Sequence, residues 1–174
     1  HGDHLNAETV AAVYAENTEI IAPKAVQEKM PAEWQDKVNV LDNDQDTNVG
    51  DFNIKGIPMY NLREEAKKFH EKGRGNGYVI EYEDYRVYIS GDTEDIPEMR
   101  NLENIDVAFV CMNLPYTMTV ENAADAVLEF KPDSVFPYHY RGTDGLSDVT
   151  KFKSLINDGD ASVQVVQLDW YPNR

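Results

Sequence analysis

Tyr78-Val79-Ile80-Glu81-Tyr82-Glu83-Asp84-Tyr85-Arg86-Val87-Tyr88-Ile89-Ser90-Gly91-Asp92-Thr93 is the stretch from which the fold can be read. Tyr78–Tyr82 and Arg86–Ser90 are short runs of β-branched and aromatic residues, and Glu83-Asp84 between them supplies a turn, so the stretch predicts a β-hairpin. The second strand ends at Ser90 and delivers Gly91-Asp92-Thr93 to a strand end, where α/β folds gather their functional groups. Alone, Asp92 reads equally well as a turn residue or a helix cap.

Downstream, Ile105–Met112 reads as a buried strand and Thr119 as the cap of a helix to Phe130, with Val120, Ala123, Ala124, Val127 and Leu128 inward and Pro132 as its stop. Ser134–Phe136 is a short strand, Asp148–Ile156 a helix, and Ser162–Leu168 a last strand. Upstream, Asn6 caps a helix to about Glu16. Thr18–Ala22 is a strand, Pro23 opens a helix at its first position, and Val38–Leu41 and Asp51–Met59 are strands. Asp42–Gly50 reads as a polar turn and Asn61–Asn76 as a long charged loop. Strands alternating with helices give an α/β class, and the hairpin makes the sheets mixed.

The chain has 174 residues, enough for one ordinary domain with a single core. Its 32 acidic residues against 16 basic give a net charge of −16, which repels phosphate backbones, so nucleic acid is not expected as a partner. The acidity is spread along the chain as a solvated surface, compatible with a salt-rich habitat. No run approaches the roughly 18 apolar residues of a membrane span; no signal peptide is visible, an absence that bears little on localisation in a chain expected to be N-terminally incomplete, and the working expectation is a cytoplasmic location. The single cysteine, Cys111, excludes an internal disulfide framework and a thiolate cage for metal; it reads as a small apolar strand residue.

The four histidines all fall at element boundaries. His1 and His4 flank Asp3 ahead of a helix, His70 lies in the loop before the hairpin, and His139 follows the strand at Ser134–Phe136. Singly, each histidine reads as a surface residue and Asp3 as a helix cap. Jointly with Asp92 they form an imidazole–carboxylate set that suits zinc, iron or manganese.

His1-Gly2-Asp3-His4 resembles the last four residues of the metallo-β-lactamase signature His-x-His-x-Asp-His. Ser90-Gly91-Asp92-Thr93 resembles the superfamily's Gly-Asp-Thr segment, Tyr138-His139 its late strand-end histidine, and His70 its remaining histidine. HEKGRGNGYVIEY, YISGDTEDIPEM, MNLPYTMT and PYHY are similar to the branch that includes ascorbate-phosphate lactonase. The resemblance implies an αβ/βα sandwich of two mixed sheets with helices on both outer faces. It also implies a histidine two positions ahead of His1 and several strands before that, so the chain is expected to be an N-terminally incomplete single domain over residues 1–174.

By the same resemblance, the histidine implied ahead of His1 joins His1 and His70 in holding one divalent ion, Asp3, His4 and His139 hold a second, and Asp92 bridges them, zinc being the first expectation and manganese or iron compatible. Two such ions about 3.5–4 Å apart lower the pKa of a shared water and make hydroxide available near neutral pH. Asp92 in the bridging position, where a cysteine would stand, argues against a true β-lactamase. The implied activity is cleavage of a small lactone or ester, with Asp3 and Asp92 as the catalytic carboxylates. Alternatives are a phosphodiesterase of the same superfamily and a non-catalytic metal-binding subunit, and a homo-oligomer is left open. Arg74 and Arg141 are candidates to bind a substrate carboxylate or phosphate; Asn113 and Tyr138 are further candidates for the pocket, with packing as the alternative role of Tyr116, Tyr138 and Tyr140. Asp95 reads as a helix-start or surface acid.

Overall fold

The computed structural model describes residues 1–172. In chain order these form α1 (Ala7–Val13), β1 (Ile20–Ala22), α2 (Lys24–Gln27), α3 (Ala32–Gln35), β2 (Val38–Val40), β3 (Asp46–Val49), β4 (Phe52–Met59), β5 (Gly75–Tyr82), β6 (Tyr85–Ile89), α4 (Pro97–Arg100), β7 (Val107–Cys111), α5 (Val120–Phe130), β8 (Ser134–Tyr138), β9 (Arg141–Gly142), β10 (Gly145–Leu146), α6 (Val149–Gly159) and β11 (Gln164–Val165). The architecture is α/β with one large mixed sheet of seven strands, ordered β11-β8-β7-β6-β5-β4-β3. β3 to β6 run as antiparallel neighbours, whereas β6, β7, β8 and β11 are parallel.

Register explains which face is buried. Val79, Tyr88, Ala108, Val135 and Val165 are directly paired across five strands, and all are buried. Side chains alternate along a strand, so this row puts a continuous apolar face under the helices. Against it α5 turns Val120, Ala123, Ala124, Val127 and Phe130, and α6 turns Phe152 and Ile156. Leu128 is only partly buried. The expected caps are in place: Asn6, Thr119 and Asp148 accept from the backbone N–H groups of Thr9, Asn122 and Lys151.

The neighbouring row, Tyr78, Ile89, Phe109 and Phe136, lies on the opposite face and is partly exposed. Part of that side is covered by a smaller layer in which β1 and β2 pair in parallel and Ala22, Met30 and Val38 make a second small core with Leu5, Val10, Ile20, Val26 and Trp34. The second sheet of the expected sandwich is thus these two strands. Pro23 caps α2 rather than entering it. The segment read as a polar turn contains β3, and β5 begins at Gly75, inside the segment read as loop. Among the described residues no helix is long and apolar enough to cross a membrane.

Candidate metal centre

The parallel strands β6, β7 and β8 end on the same edge of the sheet, and each is followed by a candidate residue: Asp92, Asn113 and His139. β4 ends and β5 begins on that edge too, so their connection brings His70 there. Across from them, Leu5 and His4 donate backbone N–H bonds to the His1 carbonyl, folding His1–His4 into one turn ahead of α1. Asn6 does the capping of α1, which leaves Asp3 free of that role. Asp92 caps no helix either, since the N-cap of α4 is Ile96.

The other five expected ligands gather around Asp92. Its Oδ2 lies 3.0 Å from His4 Nε2 and 3.2 Å from His70 Nε2, and its Oδ1 lies 3.3 Å from His139 Nε2. Asp3 Oδ2 is 3.5 Å from His139 Nε2 and 3.7 Å from His4 Nε2. The His1 ring packs on His70 with centroids 5.2 Å apart. The donor atoms divide into two groups, each within 4.8 Å: Asp3, His4, Asp92 and His139 in one, His1, His70 and Asp92 in the other. Only Asp92 belongs to both.

The chemistry of this donor set fits divalent cations. Asp92 is 5% exposed, and its buried Oδ1 receives no aligned hydrogen bond among the described residues despite the nearby His139 ring. Three imidazole nitrogens converging on one buried carboxylate make a nitrogen–oxygen donor set of the kind divalent cations take. Burial pushes the Asp92 carboxyl up, but the histidines, His139 foremost, prevail and hold it far below the usual carboxylate range. The hydrogen bond to Asp92 lifts His4 above its usual value against burial. His139 sits at φ 44°, a left-handed conformation uncommon outside glycine; such strain collects at functional sites.

A support under His70 was not legible in the sequence. His70 is 4% exposed, and its Nδ1 faces the Tyr116 carbonyl at 3.2 Å, which turns Nε2 toward Asp92. Asn61 fixes the same carbonyl with a 2.7 Å bond from Nδ2 and donates its backbone N–H to the His70 carbonyl. Glu94, 2% exposed, accepts from Arg63 Nε at 2.7 Å and from the backbone N–H groups of Leu62 and Arg63, while Arg63 Nη2 donates to the Pro115 and Thr117 carbonyls. The long loop is therefore tied to both β6 and β7. No spacing signal marks Glu94 or Arg63 in a chain so rich in charge.

A cavity of about 440 Å³ opens beside the cluster. His1, His4, His70 and Asp92 form its polar wall, and Ile20, Val26, Met30, Met59, Tyr78 and Ile89 much of the rest. Arg74 and Tyr138 line it; burial pushes the Tyr138 phenol up. Arg141 does not line it and stacks on the Tyr171 ring, 4.2 Å from the centroid. Tyr140 is buried and donates to the Leu168 carbonyl, and Tyr116 packs against Phe69. Asn113 is 2% exposed, with Nδ2 3.3 Å from His139 Nε2. Burial pushes the Cys111 thiol up to about 11, as suits an apolar strand residue.

A mixed sheet whose strand ends present a histidine–carboxylate cluster beside an apolar cavity defines a protein of the metallo-β-lactamase class. Residues 1–139 match the family described as "Beta-lactamase superfamily domain", and the chain belongs to that family. It is 29% identical over 164 residues to a UPF0173 metal-dependent hydrolase of Pyrococcus horikoshii, a match covering 91% of this chain and 71% of that one. Among solved structures, a provisionally assigned metal-dependent hydrolase from Parabacteroides distasonis is 39% identical, with a TM-score of 0.81 over 96% of this chain and 71% of the other. Igni18, a metallo hydrolase from Ignicoccus hospitalis, shares the fold at 19% identity, with a TM-score of 0.77 over 97% of this chain and 72% of its own.

Proposed function

We propose that the chain, a metal-dependent hydrolase of this superfamily, cleaves a small lactone or ester at a two-metal centre. The observation that carries this reading is the position of Asp92 as the one residue common to both donor groups. His1, His70 and Asp92 would hold one ion, and Asp3, His4, His139 and Asp92 the other. Zinc is the proposed metal, and manganese or iron also suits nitrogen and oxygen donors without thiolate. When bound, two divalent ions acidify a water and draw electron density from the substrate's carbonyl.

The chain's residues do the rest. Asp92 balances part of the positive charge of both ions, while the Tyr116 carbonyl holds the His70 ring so that Nε2 faces inward. The Asp3 side chain is 57% exposed against 6% for Asp92. Asp3, the more exposed of the two carboxylates, is therefore the one proposed to take up the proton lost by the attacking water. The apolar wall seats the substrate and limits water, and Arg74 at the cavity edge is proposed to meet an anionic substituent.

The test is elemental analysis of the zinc-loaded chain beside a panel of lactones, carboxylic esters and phosphodiesters. Two zinc equivalents with turnover of a lactone or ester support the proposal. Turnover of phosphodiesters alone makes the protein a phosphodiesterase, and two bound equivalents with no turnover make it a metal-binding module.

A further inference from the structure

β7 ends at Cys111, and the chain turns sharply through Asn113–Thr117, with the backbone N–H groups of Tyr116 and Thr117 both donating to the Asn113 carbonyl. Inside this turn the two side chains lock each other. The Thr117 hydroxyl accepts the Asn113 backbone N–H at 2.8 Å and gives its own proton to Asn113 Oδ1 at 2.6 Å. In this arrangement the single hydroxyl proton goes to Asn113 Oδ1, so the amide presents its oxygen to Thr117 and its nitrogen to the other side. Thr117 is fully buried and Asn113 nearly so. The amide nitrogen is left pointing at His139.

The atom it meets is His139 Nε2, at 3.3 Å, the nitrogen that also faces Asp92 Oδ1 at 3.3 Å and Asp3 Oδ2 at 3.5 Å. An imidazole nitrogen has one lone pair. If that pair ligates an ion, it no longer accepts from Asn113, and an amide NH2 cannot itself ligate a cation. No other acceptor for Asn113 Nδ2 is found among the described residues. A buried donor without an acceptor is costly, and the group that can satisfy it is an oxygen arriving beside His139.

We propose that Asn113 Nδ2 donates to the substrate oxygen on which negative charge develops, and that Thr117 is the positioning residue that turns the amide toward it. This deepens the hydrolase reading and rests on it: a fixed donor at that oxygen stabilises the transition state without reorganising as charge appears.

The experiment uses zinc-loaded wild type, Asn113→Ala, Asn113→Asp, Thr117→Val and Thr117→Ser. It reads zinc equivalents by elemental analysis, kcat and KM on p-nitrophenyl acetate, and the affinity for inorganic phosphate by calorimetry. Asn113→Ala should keep both zinc equivalents and lose about 100-fold in kcat, with KM changed by no more than about threefold and phosphate bound about tenfold more weakly. Asn113→Asp, isosteric but without the donor, should behave alike. Thr117→Val should show a smaller loss in kcat, restored in Thr117→Ser.

Loss of a zinc equivalent in both Asn113 variants would overturn the proposal, because the amide would then be holding His139. Unchanged kcat and phosphate affinity would overturn it as well. If wild type turns over no ester at all, the hydrolase reading fails by itself. The phosphate arm then decides for Asn113: weaker binding at constant zinc supports the donor, and unchanged binding rejects it.

Discussion

Replacing Asp92 by asparagine keeps the shape of the side chain and removes the charge on which both donor groups depend. The structure sets the size of the effect. The group made of His1, His70 and Asp92 falls from three donors to two, while the group made of Asp3, His4, Asp92 and His139 falls from four to three. Three protein ligands are what catalytic metal sites ordinarily retain, so the smaller group should lose its ion and the larger should keep it. The carboxylate charge of the cluster falls from two negative charges, Asp3 and Asp92, to one. Asp92→Asn is therefore expected to lose one of two zinc equivalents and at least about 100-fold in turnover, about 3 kcal/mol of barrier. The assay is elemental analysis beside steady-state rates on the best lactone or ester. Asp95, expected to be a helix-start or surface acid, is no neutral control. It accepts a 2.6 Å bond from Arg100 and a 3.0 Å bond from Asn122, so it ties α4 to α5. Asp158, exposed on α6, takes that place, and Asp158→Asn should leave both readings unchanged. An Asp92→Asn protein with two zinc equivalents and full activity would refute the assignment of the whole cluster.

Glu94→Gln should destabilise the fold by about 2–3 kcal/mol in urea unfolding, less than a fully buried pair because Arg63 is partly exposed. It should also weaken zinc binding by loosening the loop that carries His70, and a variant as stable as wild type would show that the Arg63–Glu94 tie carries no weight. For Cys111 the sign of the pH effect follows from burial. The unfolded thiol ionises near 9 and the folded one at about 11, so across that window the unfolded state sheds its proton first and stability falls as pH rises. The full difference is about 2–3 kcal/mol. The stability gap between wild type and Cys111→Ala should narrow by that amount between pH 8 and pH 11 in urea titrations, and a constant gap would contradict it. Below pH 9 the thiol stays neutral, so Cys111→Ala should not alter the activity profile there.

Local patterns in the sequence were sufficient wherever local physics decides. The alternation of Tyr78–Tyr82 and Arg86–Ser90 sets a hairpin through cross-strand pairing, and Asn6, Thr119 and Asp148 cap helices through bonds to backbone three residues away. β3 escaped that logic because Asp46–Val49 is a polar edge strand whose pairing with β4, rather than its own composition, makes it a strand. β5 reaches back to Gly75 because Met59 and Asn76 lie on facing strands, with Pro58 opposite Asn76 and Gly75 opposite Met59. α4, a single turn opened by Pro97, has too short an apolar period to be seen.

The six candidate ligands were legible as residue types at element boundaries and, through resemblance, as a set. Their convergence into two groups, each within 4.8 Å, is a product of the sheet, in which parallel β6, β7 and β8 end on one edge and the His1–His4 turn faces it. What surrounds them was decided by tertiary structure alone. Arg141 stacks on Tyr171 far along the chain, Glu94 grips a loop some thirty residues earlier, and Thr117 bonds the oxygen of the Asn113 amide whose nitrogen faces His139. The sequence determines which groups are available as donors, acceptors and ligands, because that is a property of each side chain. Their direction depends on hydrogen bonds between segments distant in the chain, and no single segment encodes those.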